Sequence, residues 1–396
     1  LFALACKDQL RYFCLDLSQL DRTANYVLQV MRENYPDLNI PFHSRWRHLE
    51  ASGLSHVKRL EERLAGLPPI ERTTAKFDLA IASVLMDAGA GSLWQYVDPT
   101  TKRVFRRSEG LAIASFQMFY EGVFSSGGEP LQVDAIALQN LTEQTLSQAF
   151  QVTPANPLIG IKGRLELLQR LGQVLPQYPH LFGTDSPLPG NLVYYLLNQA
   201  QANQLAASTA LRVILEGFSD IWPGRFTLAG ANLGDVWHHP ALSPSPHLVQ
   251  TRLIPSLPTP LIPFHKLSQW LTYSLLEPLQ DLGLEIVDLD ALTGLPEYRN
   301  GGLCLDLGLL RVKDPTIFQQ AHRPGSEVIV EWRALTVILL DHIAEALRKK
   351  LGLSAAELPL VKVLQGGTWT AGRKIAAELR PDGSPPIQIE SDGTVF

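Results

Sequence analysis

The chain is short of cysteine, of charge and of long apolar runs, and each shortage excludes something. Only Cys6, Cys14 and Cys304 occur among 396 residues. Their spacing fits neither a zinc ribbon nor a disulfide framework, so three ordinary thiols in a reducing compartment are expected. Charged residues make up 18% of the chain and the net charge is −5. No long basic run occurs, so a nucleic-acid surface is not expected. A small phosphorylated ligand stays open, because a local cluster of Lys or Arg is enough to hold one. No apolar stretch approaches the roughly 20 residues of a bilayer span. The opening Leu1-Phe2-Ala3-Leu4-Ala5-Cys6 resembles a lipoprotein signal end but lacks the basic start, and runs straight into Lys7-Asp8-Gln9. It is read as a helix start in a chain truncated before its first Met. A soluble cytoplasmic protein is expected, without membrane contact.

Familiar catalytic strings are missing too. There is no phosphate-loop Gly-Lys-Ser, no dinucleotide fingerprint and no Gly-x-Ser-x-Gly elbow. No cysteine has a convincing base beside it. These gaps argue against a loop-type nucleotide hydrolase, a nicotinamide enzyme and a serine hydrolase.

What is present is a large apolar fraction, 45% of the residues, arranged mostly on helical spacing. Asp78 to Met86 reads as a buried helix stopped by Gly89. Leu111 to Glu121 reads likewise, opened by Ser108 and closed by Gly122. The two share Leu-Ala-Ile-Ala-Ser at 79–83 and 111–115. Five residues are too few for a repeat, so two similar core helices are expected. Further helices are predicted at 141–151, 162–175, 191–204, 207–221, 266–282 and 326–351, the last with Arg348-Lys349-Lys350 complementing its dipole. Short strands are predicted at 284–289, 303–312 and 387–390. Seven prolines between 240 and 263 forbid helix there and leave a rigid strap or a linker. The fold class expected is mainly α with minor β, as one large domain spanning 1–396.

The densest polar-aromatic block lies in the last third. It runs Phe264-His265-Lys266-Leu267-Ser268-Gln269-Trp270, then Gly294-Leu295-Pro296-Glu297-Tyr298-Arg299-Asn300-Gly301-Gly302, then Glu331-Trp332-Arg333. Apolar packing does not call for this mixture; a polar ligand does. Glu297 and Asp306 flank the Gly301-Gly302 pair, where a carboxylate can activate water or a hairpin can simply turn. His265 and Lys266 open a predicted helix, and its free amides suit a phosphate; an exposed Lys and a capping His explain them equally. Glu331 and Arg333 sit in a very apolar helix, where a charge needs a partner, either another helix or a substrate. Arg45, Trp46, Arg47 and His48 form an early cluster suited to stacking and to clamping phosphate. Asp87 ends an apolar helix, as a ligand contact or a plain polar end. Asp235, Trp237, His238 and His239 invite a metal reading, though adjacent histidines in a proline-flanked loop are more often incidental.

These blocks resemble one family. With His43-Ser44-Arg45-Trp46-Arg47-His48, Asp87-Ala88-Gly89-Ala90-Gly91, Arg107-Ser108-Glu109-Gly110-Leu111, Gly366-Gly367-Thr368-Trp369 and Ser391-Asp392-Gly393-Thr394, they are similar to the fourth protein family of the URC uracil-catabolism pathway. That family is also catalogued as domain of unknown function 1688. The resemblance covers essentially the whole chain. It implies pyrimidine catabolism through a ribosylated, ring-opened intermediate, made by a partner enzyme resembling GTP cyclohydrolase, from which urea must be released. A fainter resemblance links Phe264–Gln269 and Glu327–Ala334 to two motifs of queuosine-phosphate N-glycosylases, helical proteins related in shape to DNA glycosylases. Phe264 stands where those have an acid, so the catalytic carboxylate is sought in Asp306, Glu297 or Glu331.

The expectation is an N-ribosidic hydrolase releasing urea from ribosylurea or its 5′-phosphate, needing no metal and no cofactor. His265, Lys266, Gln269, Trp270, Tyr298, Arg299, Asn300, Arg333, Arg45, Trp46, Asp87 and Asp235 are the candidate substrate contacts. Two alternatives remain: a metal-dependent amidohydrolase built on His43, His48, His238 and His239, and a non-catalytic partner of the ring-opening enzyme.

Overall fold

Helix dominates and strands are short, as the apolar spacing predicts. The computed structural model describes residues 1–50, 55–128, 130–224, 226–242 and 260–391. The chain divides into two compact units, each assembled from separate stretches.

The first unit comprises Leu1–Phe42, Asp235–Lys266 and Thr293–Glu390. Its longest element is the helix Glu327–Leu351, which ends where Gly352 adopts φ +68°. Only glycine takes that conformation without steric cost, so the predicted stop falls where the chain needs it. Val328, Ile329, Val330, Leu335, Leu339, Leu340, Ile343 and Leu347 are buried along it, each stabilising the fold by roughly 1.5–3 kcal/mol. The helix Leu20–Asn34 packs on it. Among the described residues, three strand pairs complete the unit. Phe13–Leu15 pairs with Leu310–Val312 antiparallel, Val236–His238 with Leu261–Pro263 antiparallel, and Ala321–His322 with Gln388–Ile389 parallel.

The proline-rich stretch expected to be a strap or linker lies mostly outside the described residues. Its two flanks are the paired strands Val236–His238 and Leu261–Pro263.

The expected strand at 303–312 is a correction. Tyr298–Asp306 is a helix, and only Leu310–Val312 is strand. The run Leu303-Cys304-Leu305-Asp306-Leu307 fits both periods at this length. Glu297 decides the matter by capping the helix: its carboxylate accepts from the backbone N–H groups of Arg299 and Asn300. Gly301 and Gly302 therefore lie inside a helix and not in a hairpin turn. A Cβ at Gly301 would stand 2.7 Å from the Trp332 ring, and one at Gly372 would stand 2.3 Å from the Arg299 carbonyl. These glycines let Tyr298–Asp306 press against Glu327–Leu351 and Trp369–Leu379. Gly366 and Gly367 act alike in the π-helical turn Leu364–Thr368, closing on Ile40, Val27 and Met31.

The second unit comprises His43–Gly234, Leu267–Leu292 and Ser391–Phe396. Its core helices Pro69–Leu85 and Arg107–Tyr120 pack on one another. Their shared string has a structural meaning: it brings the Ser83 and Ser115 hydroxyls to 2.6 Å. The first helix begins at Pro69, nine residues before the predicted start, with proline in the position where its missing N–H does no harm. The second opens after Arg106 without a side-chain cap, so Ser108 is not the cap. The predicted helix 141–151 is shorter, Glu143–Ala149, capped by Thr142 and preceded by a separate helix Ala135–Asn140 that ends at Leu141. Ile161–Val174, Leu192–Gln199 and Ala207–Gly217 follow, the last two ending earlier than their patterns suggest. Strand Gln204–Ala206 pairs in parallel with Glu285–Val287.

No helix among the described residues is long and apolar enough to cross a membrane. The three cysteines are free. Burial pushes the Cys304 thiol up to about 12, so it carries no reactive thiolate near neutral pH.

Candidate functional site

The first unit gathers most of the sequence-proposed acids and cations. Arg333 is the centre. Helix Glu327–Leu351 carries it into the interior, where it is 1% exposed. Its two terminal nitrogens form a fork on Asp235, with Nη1–Oδ1 at 2.8 Å and Nη2–Oδ2 at 2.7 Å. The Phe264 ring stacks on the guanidinium, its centroid 4.0 Å from Cζ. Trp237 Nε1 donates to the same Asp235 Oδ1 at 2.7 Å, and the Lys266 backbone N–H to Oδ2 at 3.1 Å. Four donors fill the four acceptor positions of a carboxylate. Burial alone would raise Asp235, but the Arg333 charge and these donors outweigh it and hold the carboxyl far below its usual range.

Asp235 thus does what was proposed for a phosphate. It caps the amide at the start of helix Lys266–Asp281 with the protein's own anion. His265 just before that helix takes φ +48°, a conformation uncommon outside glycine. Burial first, and then the Arg333 charge, lower its pKa, while Asp235 opposes them. It is a neutral imidazole near pH 7.

Glu331, two residues from Arg333, is fully buried. Its oxygens accept the backbone N–H groups of Arg11 and Tyr12, both at 3.1 Å. The His239 ring lies beside it, Nε2 to Oε1 at 3.5 Å, with both side chains at 0% exposure. His239, Glu327 and Glu331 place three ligand-type atoms within 4.8 Å of one another, the geometry of a metal centre. One contact argues against that use. The Ala241 backbone N–H points at His239 Nδ1 at 3.2 Å. Nδ1 therefore holds the lone pair, and we assign the ring proton to Nε2, facing Glu331. In that tautomer Nε2 has no lone pair for a cation. The trio is a carboxylate–imidazole group first; a metal requires giving up the Ala241 bond.

The remaining proposed residues of this unit have strong local engagements. Both Asp306 oxygens are held in a fork by Arg380, at 2.8 and 2.6 Å. Glu297 is the helix cap. Burial raises its pKa, against Arg299, two backbone amides and the Lys266 charge. Asn300 Nδ2 donates to the Leu295 carbonyl at 3.0 Å. Arg299 lies over the Trp369 ring at 4.2 Å and near the Tyr298 ring at 5.3 Å. The string Pro296–Gly302 is therefore in large part a helix start and a packing surface.

Arg45, Trp46, Asp87, Gln269 and Trp270 belong to the second unit, as do His43 and His48. Arg45 is completely buried. Its Nε donates to Ser83 Oγ at 2.6 Å and its Nη1 to the Ser108 carbonyl at 3.2 Å. Nη1 also stands 3.1 Å from Asp87 Oδ1. Trp270 lies 5.5 Å from the Arg45 Cζ. Trp46 donates to the Ser274 carbonyl at 2.7 Å, which anchors its helix. Gln269 is buried. Burial and the neighbouring Arg45 charge push His48 down to about 3.

Sequence reasoning named no role for Arg164, Arg11 or Tyr12. Arg164 donates to the carbonyls of Met86 and Ala88, both at 2.7 Å, and so sets the loop that carries Asp87. An arginine within a helix pattern looks solvated in sequence, and nothing there signals its burial. Arg11 and Tyr12 act through backbone N–H groups, which leave no mark on side-chain pattern.

A mainly helical protein with two groups of buried, interlocked charges is defined by this geometry. Residues 1–396 match the family model described as "Protein of unknown function (DUF1688)", and the chain belongs to that family. It is 37% identical over 420 residues to Uracil catabolism protein 4 of Lachancea kluyveri, covering 97% of this chain and 92% of that protein. It is 38% identical over 395 residues to Protein urg3 of Schizosaccharomyces pombe, covering 98% and 92%.

Proposed function

We propose that the protein acts in uracil catabolism, the process for which its Lachancea kluyveri relative is named, as a hydrolase of the N-ribosidic bond of ribosylurea or its 5′-phosphate. The observation that carries this reading is Glu331. It is a fully buried side chain beside the His239 imidazole, in the unit that also holds Arg333, Lys266 and His265. Breaking the C1′–N bond leaves positive charge on the ribose ring. A carboxylate with no cation forked onto it stabilises that charge, and it orients the water whose oxygen bonds to C1′. The attacking water gives up one proton as its oxygen bonds to C1′, the departing nitrogen takes one up, and urea leaves. Lys266 supplies the cation for a 5′-phosphate, which fixes the sugar and lowers the entropic barrier. Among the acids proposed, Asp306 and Glu297 are committed to Arg380 and to a helix cap, so Glu331 is assigned the catalytic role.

The test is direct. Purified protein with ribosylurea or its phosphate releases urea and the sugar product. No turnover on either substrate by folded protein overturns the reading. Ammonia in place of urea favours the metal-dependent amidohydrolase, for which His239, Glu327 and Glu331 would hold the ion once the Ala241 bond is given up. Stoichiometric metal in protein purified without chelator points the same way.

A further inference from the structure

In the second unit three buried side-chain atoms have unused hydrogen-bonding capacity around one guanidinium. Among the described residues, Arg45 Nη2 and Trp270 Nε1 are donors that meet no acceptor, and Asp87 Oδ1 meets no well-aligned donor. The Asp87 oxygen pairs with Arg45 Nη1 at 3.1 Å, and a carboxylate oxygen with two lone pairs keeps room for a second donor. Leaving such groups unmatched is expensive, yet the protein fixes them in place. Arg45 is clamped by Ser83 and the Ser108 carbonyl, and Ser83 is itself held by Ser115 at 2.6 Å. Asp87 rides on the loop that Arg164 pins. Trp270 has the rings of His43 and His48 at 6.4 and 5.5 Å.

The pattern selects its ligand. Two N–H donors ask for a carbonyl oxygen, and the carboxylate oxygen asks for an N–H. The flanking aromatic rings ask for a flat group. Charge excludes an anion: Arg45 and Arg164 are offset by Asp87 and by Glu109, whose charge acts on Arg45. A phosphate brings two negative charges to a site whose balance is already zero.

We propose that Arg45, Asp87 and Trp270 form a binding site for a neutral planar ureido group, N–C(=O)–N. The carbonyl accepts from Arg45 Nη2 and Trp270 Nε1, and an N–H donates to Asp87 Oδ1. Both the closed pyrimidine ring of uracil and an open ribosylurea carry this unit. The choice of these probes rests on the function proposed above, but binding is separable from turnover.

Calorimetric titration of the full chain with uracil, ribosylurea, urea and inorganic phosphate tests the site. A ureido compound binds and phosphate at equal concentration does not compete. Trp270→Phe keeps an aromatic ring and removes the donor, so it weakens binding by roughly tenfold, measured at equal folded fraction because the smaller ring also costs some stability. Asp87→Asn, which exchanges an acceptor for a donor, gives a second loss of affinity. Uracil alone binding identifies the closed ring as ligand, and ribosylurea alone the open one. No ureido binding, competition by phosphate, or full affinity in both variants overturns the site. Binding that persists without any turnover leaves this site standing and removes only the hydrolase.

Discussion

Asp306 and Glu331 were equal candidates by sequence, and their surroundings separate them. Asp306 is gripped by Arg380 through both oxygens; Glu331 accepts backbone N–H groups and lies beside His239, with no arginine fork among the described residues. Asp306→Asn therefore lowers stability, by about 2–3 kcal/mol for a lost charged hydrogen-bond pair, and leaves turnover per folded molecule unchanged. Glu331→Gln lowers turnover by about a hundredfold or more, measured at equal folded fraction by circular dichroism. The opposite pattern would return the catalytic role to Asp306. Glu331 and Arg333 were legible because charges inside an apolar helix demand an explanation. Their partners were not. Asp235 lies 98 residues away in sequence from Arg333, and the Arg11 and Tyr12 contributions are backbone groups that every residue owns.

Helix Tyr298–Asp306 shows how a motif can be recognised while its local shape is missed. Glu297, Asn300 and the glycine pair look like a turn, and they start a helix and seat it closely on its neighbours. A Cβ at Gly372 meets a backbone carbonyl, which cannot swing away as a side chain can, whereas one at Gly301 meets the Trp332 ring. Gly301→Ala and Gly372→Ala each destabilise by about 1–3 kcal/mol, with Gly372→Ala the larger. Gly66, where a Cβ would meet nothing within 4 Å, is the control: Gly66→Ala is neutral or stabilises by about 0.4–1 kcal/mol. Urea unfolding midpoints rank the three, and equal effects at Gly66 and Gly372 would refute the close-packing account. Long helices were legible here because their periodicity runs over many turns. Leu303–Leu307 spans too few residues to tell one period from the other, and only the cap at Glu297 breaks the tie.

The stability of the chain as a function of pH is set by buried groups that titrate far from their ordinary range, and two of them pull in opposite directions. Asp78 is raised from 3.8 to about 8, chiefly by burial, although the Val133 and Gly190 N–H groups it accepts oppose the rise. The fold keeps a proton there that the unfolded chain has released. Its stabilising contribution is complete below about pH 4 and is lost as pH climbs towards 8. His48 falls from 6.5 to about 3, again by burial first. The unfolded chain takes up a proton there that the fold refuses, so this contribution is present above about pH 6.5 and is lost as pH falls. Neither slope can be read from a net charge of −5, because both arise from enclosure and not from the number of charges. Melting temperatures of the wild type, Asp78→Asn and His48→Gln across about pH 4 to 8 separate them. The gap between wild type and Asp78→Asn narrows as pH rises, and the gap to His48→Gln narrows as pH falls. Gaps that stay constant across the range would mean that neither group changes its proton on unfolding.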